Sequence, residues 1–528
     1  MPILRRDLLK RTAAGAVGFT LSDFAQSRTE IDVEEIAYDV EHDDKLDADL
    51  PIWNETVDVV IVGSGGAGLS AALSAHEHGA AKILVIEKEP VAGGNTRFSG
   101  GYFNAVDPER QKPQRIDDNI EKHVRQTIEG GRSRGKPELV RILCEGALPT
   151  LHWLEHLGVR WEPTCTLLHG GLFPRGHVPT VETLRTGCID LLLQHCRDRG
   201  IEVRCGTPLL RLIRRNSKKL RSGPVEGIVV ACSDGTAESA IRARKGVILA
   251  AGGYAANAVM CAAFDPRLAD LPTTNHAGAT GEVMLAAREI GAFLSGCDFI
   301  ECLPLDARYS RLSLFVERCI FVDRTGRRFI REDAPRDQFR DKILDLPQRE
   351  AFVILDDDGF RSHPETFRRD ATEGLDKGEV FRADSLQGLA RQIRVPSRNL
   401  EETVERYNRF VETHSDRDFG RAPESLLHPM VKPPFWASKA NLSLHYTLGG
   451  VEIDERTRVL DWDGRPIPKL FAAGEITTGV HGESRLGGNS VTEIYVFGRL
   501  AGRVAAETPE EEIKKPDKGD SFDTGRRA

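Results

Sequence analysis

Apolar residues fall in a few short, dense runs along this chain. In the first, five of the six residues from Val57 to Val62 are β-branched and apolar. A run of that kind suits a strand buried on both faces. Glycines follow at once, and the pattern then predicts a helix from about Gly66 to His78 and a second strand over Lys82 to Glu87. Between 115 and 158 the period becomes helical. Leu139, Ile142, Leu143, Leu148, Leu151, Leu154 and Leu157 recur at helical spacings and mark a core-facing stripe. Ile201–Ile213 and Val225–Cys232 read as strands of a β-meander, and Gly246–Gly253 reads as another buried strand. Thr280-Gly281-Glu282 caps a further apolar helix.

The style changes near Asp298. Up to Leu444 the charge rises and Gly-Gly pairs vanish. A hairpin is expected there (Cys319–Asp323, a turn at Thr325-Gly326, then Arg328–Arg331), followed by a helix over Asn399–Thr413. Residues 445–506 return to glycine-rich turns, with a helix opening after Gly487-Gly488-Asn489-Ser490. The organisation expected is an α/β fold: a Rossmann-like domain with a parallel sheet and β-meander over 54–297 and 446–506, interrupted by an α+β insertion over 298–445. Residues 29–53 read as an acidic linker and 507–528 as a disordered charged tail.

Composition narrows the function classes. The chain has 528 residues and a formal net charge of −8, which argues against a general nucleic-acid binder. No apolar run approaches the ~20 residues of a membrane span. Ten cysteines are scattered without a Cys-x-x-Cys pair, so haem-attachment, zinc-ribbon and cluster ligand sets are not expected, nor is any metal site. Arg5-Arg6, Leu8-Leu9-Lys10 and the weakly apolar run Thr12–Leu21 resemble a twin-arginine export signal over 1–28, which implies a periplasmic or extracytoplasmic location, with the cytoplasm as the alternative. The end of that segment, Asp23-Phe24-Ala25, is a poor cleavage site.

Chemistry enters with the glycines. Gly63, Gly65 and Gly68 fit Gly-x-Gly-x-x-Gly between the first strand and its helix. In that context the first glycine allows the tight turn, the second lets backbone approach a pyrophosphate, and the third lets helix and strand pack closely. The helix N-terminus then faces the phosphates. Glu87 lies about 20 residues beyond, where a carboxylate accepts from a ribose hydroxyl. Gly93-Gly94-Asn95-Thr96 and Ser99-Gly100-Gly101 add loops whose N–H groups can converge on a ligand.

Taken together, the motifs resemble the fumarate reductase/succinate dehydrogenase flavoprotein family, in particular its soluble fumarate reductases and urocanate reductase-like 2-enoate reductases. The resemblance runs over about 55–505. It is carried by Val-Gly-Ser-Gly-Gly-Ala-Gly (62–68), Gly-Gly-Asn-Thr (93–96), Ala-Pro-Arg-Asp (334–337), His-Tyr-Thr-Leu-Gly-Gly (445–450), Ala-Ala-Gly-Glu (472–475) and His-Gly-Glu-Ser-Arg-Leu-Gly-Gly-Asn (481–489). It implies FAD, held by Gly63, Gly65, Gly66, Ala67, Gly68, Glu87, Lys88, Gly94, Asn95, Thr96, Ser99, Gly100, Gly101, Ala251, Gly252, Gly474, Glu475, Asn489, Ser490 and Val491. Glu475 would bind the ribitol, and the helix from near Ser490 would point at a flavin carbonyl. The 298–445 insertion would be a capping domain that closes over substrate. No histidine lies between His78 and His123, where relatives with covalent FAD carry one, so non-covalent FAD is expected.

The resemblance also implies the reaction: hydride from the reduced flavin to a C=C bond beside a carboxylate, and a proton from arginine. Arg336 matches the proton donor. His445 and Arg485 match the residues that hold the carboxylate, and Leu303, Tyr446, Thr447 and Gly488 complete the substrate pocket. A guanidinium grips a carboxylate in a planar fork, which fixes its angle. The chain departs from the fumarate reductases in two places. Cys302-Leu303-Pro304 replaces an Ala-His-Pro context, and no Thr-Glu pair appears around Arg311–Glu317. A second carboxylate would meet Leu303, and an unpaired buried charge costs about 3–5 kcal/mol. A mono-carboxylic 2-enoate with an apolar or aromatic tail is therefore expected over fumarate, unless Arg308 or Arg311 supplies the missing charge. The electron donor or acceptor is expected to be a separate protein or a quinone. The alternatives are a flavin oxidase of the L-aspartate oxidase type, a 3-ketosteroid-type dehydrogenase and, outside enzymes, an electron-transfer flavoprotein.

Overall fold

The structure is a computed structural model. It describes residues 50–509 except 169, 216–222, 232–236, 305–311 and 314, so the export-signal segment and the charged tail lie outside the described residues. The Val57–Val62 run sits in strand β1 (Glu55–Val62), whose last six residues are buried. Helix α1 (Gly66–Glu77) follows and presents alanine, serine and leucine inward along most of its length. Strand β2 (Ile83–Ile86) lies parallel to β1, and strand β3 (Glu202–Arg204) lies parallel to β2.

The expected β-meander is therefore divided. The stretch from Ile201 to Ile213 is not one strand: its first part, β3, joins the parallel sheet, and only β4 (Leu209–Arg214) belongs to the meander. That meander continues antiparallel through β5 (Val225–Ala231) into β6 (Glu238–Leu249). β6 is longer than its glycine-flanked apolar end suggested. It pairs with β5 at its start and runs parallel to β1 at its end. The helix expected after Thr280, α2 (Glu282–Glu289), is short, and its N-cap is Gly281 with no side-chain cap.

Strand β7 (Ile300–Leu303) carries the chain out of this body, and the chain returns on a strand that pairs with β7. Between them, β8 (Ile320–Asp323), β9 (Ala351–Leu355), β10 (Val380–Ala383) and β11 (Phe435–Lys439) form an antiparallel sheet in the order β8-β9-β11-β10. The expected Cys319–Arg331 hairpin is reduced to one bridge, Val322 to Arg328, because β8 pairs along its length with β9 instead. Helix α3 (Arg336–Leu344) lies between β8 and β9 in sequence, and α4 (Ser397–Thr413) packs Leu400, Val404, Tyr407 and Phe410 onto the sheet. The returning strand, β12 (Ser443–Thr447), pairs antiparallel with β7, setting Glu301 opposite Tyr446 and Leu303 opposite Ser443. β13 (Arg458–Leu460) and β14 (Pro466–Ala472) complete the main sheet, in the order β13-β14-β6-β1-β2-β3. Helix α5 (Asn489–Glu507) packs against α1. Leu139, Leu143, Leu151 and Leu154 are buried in the main core on the long helix Pro137–His156, as their spacing predicted.

A charged cluster sits inside the inserted part. Glu332 accepts from Arg328 (2.8 and 2.7 Å) and from Arg421 (3.0 Å), while Asp416 accepts from Arg328 (2.9 Å). All four are buried. Removing one member of such a cluster leaves an uncompensated buried charge, at a cost of about 3–5 kcal/mol. Glu332→Ala is accordingly expected to lower the unfolding free energy of the holo-protein, measured by urea titration, by that order, whereas an exposed control, Glu405→Ala, is expected to leave it within ~0.5 kcal/mol.

Candidate active site

At the C-terminal ends of β1, β2, β6 and β14 the sheet opens into a cleft of about 970 Å³ including its mouth. Gly63 allows the sharp turn off β1: its φ is +108°, and a Cβ there would lie 2.3 Å from the Ala250 carbonyl oxygen. Gly68 allows α1 to start close to the strand, because a Cβ there would lie 1.9 Å from the Gly63 carbonyl oxygen. The floor of the cleft is thus bare backbone at a helix N-terminus, the arrangement that suits a phosphate. Glu87 lies on the wall. Its carboxylate accepts from the Ser64 N–H (3.1 Å), the Ser64 hydroxyl (2.6 Å) and the Glu89 N–H (2.9 Å), so the acid is already oriented.

Of the predicted cofactor residues, Gly63, Gly65, Gly66, Ala67, Glu87, Lys88, Gly94, Asn95, Thr96, Ala251, Gly252, Gly474 and Glu475 line this cleft. Gly68 packs beneath it. Ser99, Gly101 and Val491 line a neighbouring cavity that also touches Thr96. Gly100 and Ser490 line neither cavity. The Asn489 side chain points elsewhere: its Oδ1 meets Asn104 (2.7 Å) and His123 (3.1 Å), and its amide donates to Thr127 (3.1 Å). It is a buried tie between α5 and the strand and helix beside it. Sequence reading also passed over Ser64, inside the first glycine motif, and Thr207 and His276, which line the cleft without belonging to a recognisable pattern.

Glu475 accepts from the Thr447 N–H (3.0 Å), and burial pushes its carboxyl up to about 7. Glu493, one turn into α5, accepts from the Gly474 N–H (3.1 Å), and burial raises it to about 8. Thr447 also links this wall to a second cluster, since His445 and Tyr446 precede it on β12. Arg336 at the start of α3 and Arg485 in the loop before α5 both donate to one carboxylate oxygen, Glu301 Oε1 on β7; the Arg485 contact is 2.8 Å. All three side chains are buried. Burial alone would raise the Glu301 carboxyl, but Arg336, Arg485 and His445 outweigh it and hold the group well below the usual carboxylate range. Burial lowers the Arg336 guanidinium, and Arg485 pushes the same way against the pull of Glu301. His445 is set by Thr274, whose hydroxyl lies 2.7 Å from Nδ1.

Arg485 also stacks over the Tyr446 ring, 4.6 Å from its centroid, and His481 meets that ring edge-on at 6.1 Å. Burial and Arg485 push the His481 imidazole down to about 3. The structure thus brings Arg336, His445, Arg485 and Tyr446 together. Gly488 is the N-cap of α5, and Leu303 ends β7, only partly buried. Glu301 and His481 were missed by sequence reading. Arg308 and Arg311 lie outside the described residues.

A glycine-walled cleft with a helix N-terminus and an oriented acid suits a dinucleotide such as FAD. Residues 58–491 match the model of the family described as "FAD binding domain". The chain belongs to that family, within its fumarate reductase/succinate dehydrogenase flavoprotein branch. It is 34% identical over 460 residues to a probable fumarate reductase of Shewanella frigidimarina, covering 86% of this chain and 75% of that one. It is 32% identical over 478 residues to the acrylate reductase flavoprotein subunit of Shewanella woodyi, covering 86% and 92%. Among solved structures it resembles the open conformation of a flavocytochrome c3 fumarate reductase, with a TM-score of 0.67 at 33% identity, covering 86% of this chain and 79% of that one. This flavoprotein therefore uses FAD and is an oxidoreductase acting on carbon–carbon double bonds. No helix among the described residues is long and apolar enough to cross a membrane.

The Glu493 carboxyl yields a pH prediction. Its folded-state value is raised from 4.5 to about 8, so between those values the native state holds a proton that the unfolded chain has released. Its contribution to stability is therefore full below pH ~4.5 and is lost as pH rises toward ~8, at no more than about 1.4 kcal/mol per pH unit. Glu493→Gln removes that dependence. The melting temperature of the variant minus that of wild type is expected to rise steadily from pH 5 to pH 8; a flat difference would contradict the assignment.

Proposed function

We propose that this flavoprotein reduces, or in reverse forms, a C=C bond conjugated to a single carboxylate, R–CH=CH–COO⁻. The observation that supports this best is the convergence of Arg336, Arg485 and His445 in one buried cluster beside the cleft wall. Arg485 and His445 hold the substrate carboxylate in a fork that fixes its angle and draws charge toward it. That polarises the double bond and makes its β-carbon electrophilic. Bound FAD, when reduced, supplies the hydride for that carbon.

The α-carbon then needs a proton, and Arg336 is the donor. A guanidinium ordinarily keeps its proton throughout the accessible pH range. Here burial and the neighbouring Arg485 weaken its hold. Glu301 keeps Arg336 fixed at the start of α3, so the donor meets the substrate in one orientation. The part of the chain between β7 and β12 acts as the cap that excludes water from this step, and its pairing strands carry Leu303, His445 and Tyr446.

Leu303 favours an apolar or aromatic tail over a second carboxylate. Likeness to an acrylate reductase subunit, named for a mono-acid, is compatible with this choice. FAD is held non-covalently, with Glu475 at the ribitol, and electrons arrive from a separate protein or a quinone. With a reduced viologen dye as donor and a panel of 2-enoates as acceptors, Arg336→Ala is expected to keep the flavin absorbance of wild type. Its turnover should fall by at least about 10²-fold, the usual weight of a general acid. Turnover equal to wild type would remove Arg336 from this role.

A further inference from the structure

We infer that Glu301 sets the charge class of the substrate, by cancelling one of the two guanidinium charges so that the site accepts one carboxylate and rejects two. This rests on the reading of the site as a carboxylate-binding enoate site. Glu301 Oε1 is shared by Arg336 and Arg485, and its side chain is 1% exposed. The three groups together carry one net positive charge. Without Glu301 they would carry two, which is the charge that a dicarboxylate neutralises. With it, a mono-acid brings the trio to neutrality and a dianion leaves a buried negative charge beside an existing carboxylate. Like-charge placement of that kind is a strong means of rejecting a competing ligand.

The surrounding ionisable groups leave this balance in place. The His481 imidazole is held neutral by burial and Arg485, and the Tyr446 hydroxyl is raised well above its ordinary value by burial. Glu475 and Glu493 are pushed toward their neutral forms. His445 is the exception: it faces the Glu301 carboxylate, and a protonated His445 adds a further positive charge, which Glu301 also offsets. The cluster is moreover built to receive something. Among the described residues, Glu301 Oε2, the Nε atoms of Arg336 and Arg485 and both ring nitrogens of His481 are buried without a hydrogen-bond partner. A carboxylate serving only to staple two arginines would be expected to use both oxygens. The inference is independent of Leu303: that residue acts where the substrate tail ends, Glu301 where the arginines meet.

The test uses FAD-loaded full-length protein and two saturated acids of nearly equal size, succinate and its half-amide succinamate, titrated against the oxidised flavin spectrum. Wild type is expected to bind succinamate at least about tenfold more tightly than succinate. In Glu301→Gln, which keeps the shape and removes the charge, that ratio is expected to fall by at least about tenfold; Glu301→Asp is expected to keep it within about threefold. Succinate binding to wild type as tightly as succinamate would overturn the inference, and this comparison needs no variant to fold. A ratio unmoved by Glu301→Gln would also overturn it. If wild type still turns over 2-enoates in either case, Glu301 alone loses its role. If no carboxylate perturbs the flavin and no enoate is turned over, the functional reading falls as well.

Discussion

One carboxylate oxygen on β7 receives hydrogen bonds from two guanidinium groups that lie 35 and 184 residues further along the chain. Two cations brought together out of water repel each other and lose hydration, and without a counter-charge the arrangement would open. Glu301 supplies that counter-charge. It ties the start of α3 and the loop before α5 to β7. The same contact holds Arg336 in a buried position, where burial and Arg485 lower its guanidinium against the pull of Glu301.

The rest of the architecture serves this point from two directions. From below, the parallel strands end together, and the glycine turn at Gly63–Gly68 places a helix N-terminus and bare backbone at the cleft floor, the arrangement that suits a dinucleotide's phosphates. From above, β7 and β12 pair at the place where the chain leaves the main body and returns to it. A single two-stranded ribbon thereby carries Glu301, Leu303, His445 and Tyr446. Thr447, the last residue of that ribbon, hydrogen-bonds Glu475 on the cofactor wall. The cleft wall and the arginine cluster are thus joined through a few residues of one strand.

What could be read from the sequence follows the range of the forces involved. The Val57–Val62 strand, its glycine turn and the leucine stripe on Pro137–His156 were legible because neighbours in sequence decide them. Strand partners were not: β3 went to the parallel sheet and β8 to β9, choices set by packing from distant segments. Arg336, His445 and Arg485 could be singled out only through family motifs, since an arginine followed by an aspartate reads equally well as a surface ion pair. Glu301 gave no signal at all. It sits between apolar residues in Ile300-Glu301-Cys302-Leu303, and its meaning lies in two arginines that no local pattern connects to it. Asn489 was singled out by its motif as a cofactor contact, and its side chain closes a buried hydrogen-bond network that no local pattern announces.

The central claim is that buried arginines grip a substrate carboxylate so that a double bond can be reduced beside it. The most direct test is to photoreduce the FAD-loaded protein without oxygen and mix it with a 2-enoic acid or with its primary amide. The two match in shape and in C=C bond but differ in charge. The account predicts that the acid reoxidises the flavin at least about 10²-fold faster than the amide, a difference of about 2.7 kcal/mol in transition-state stabilisation. Equal rates for the two would contradict it.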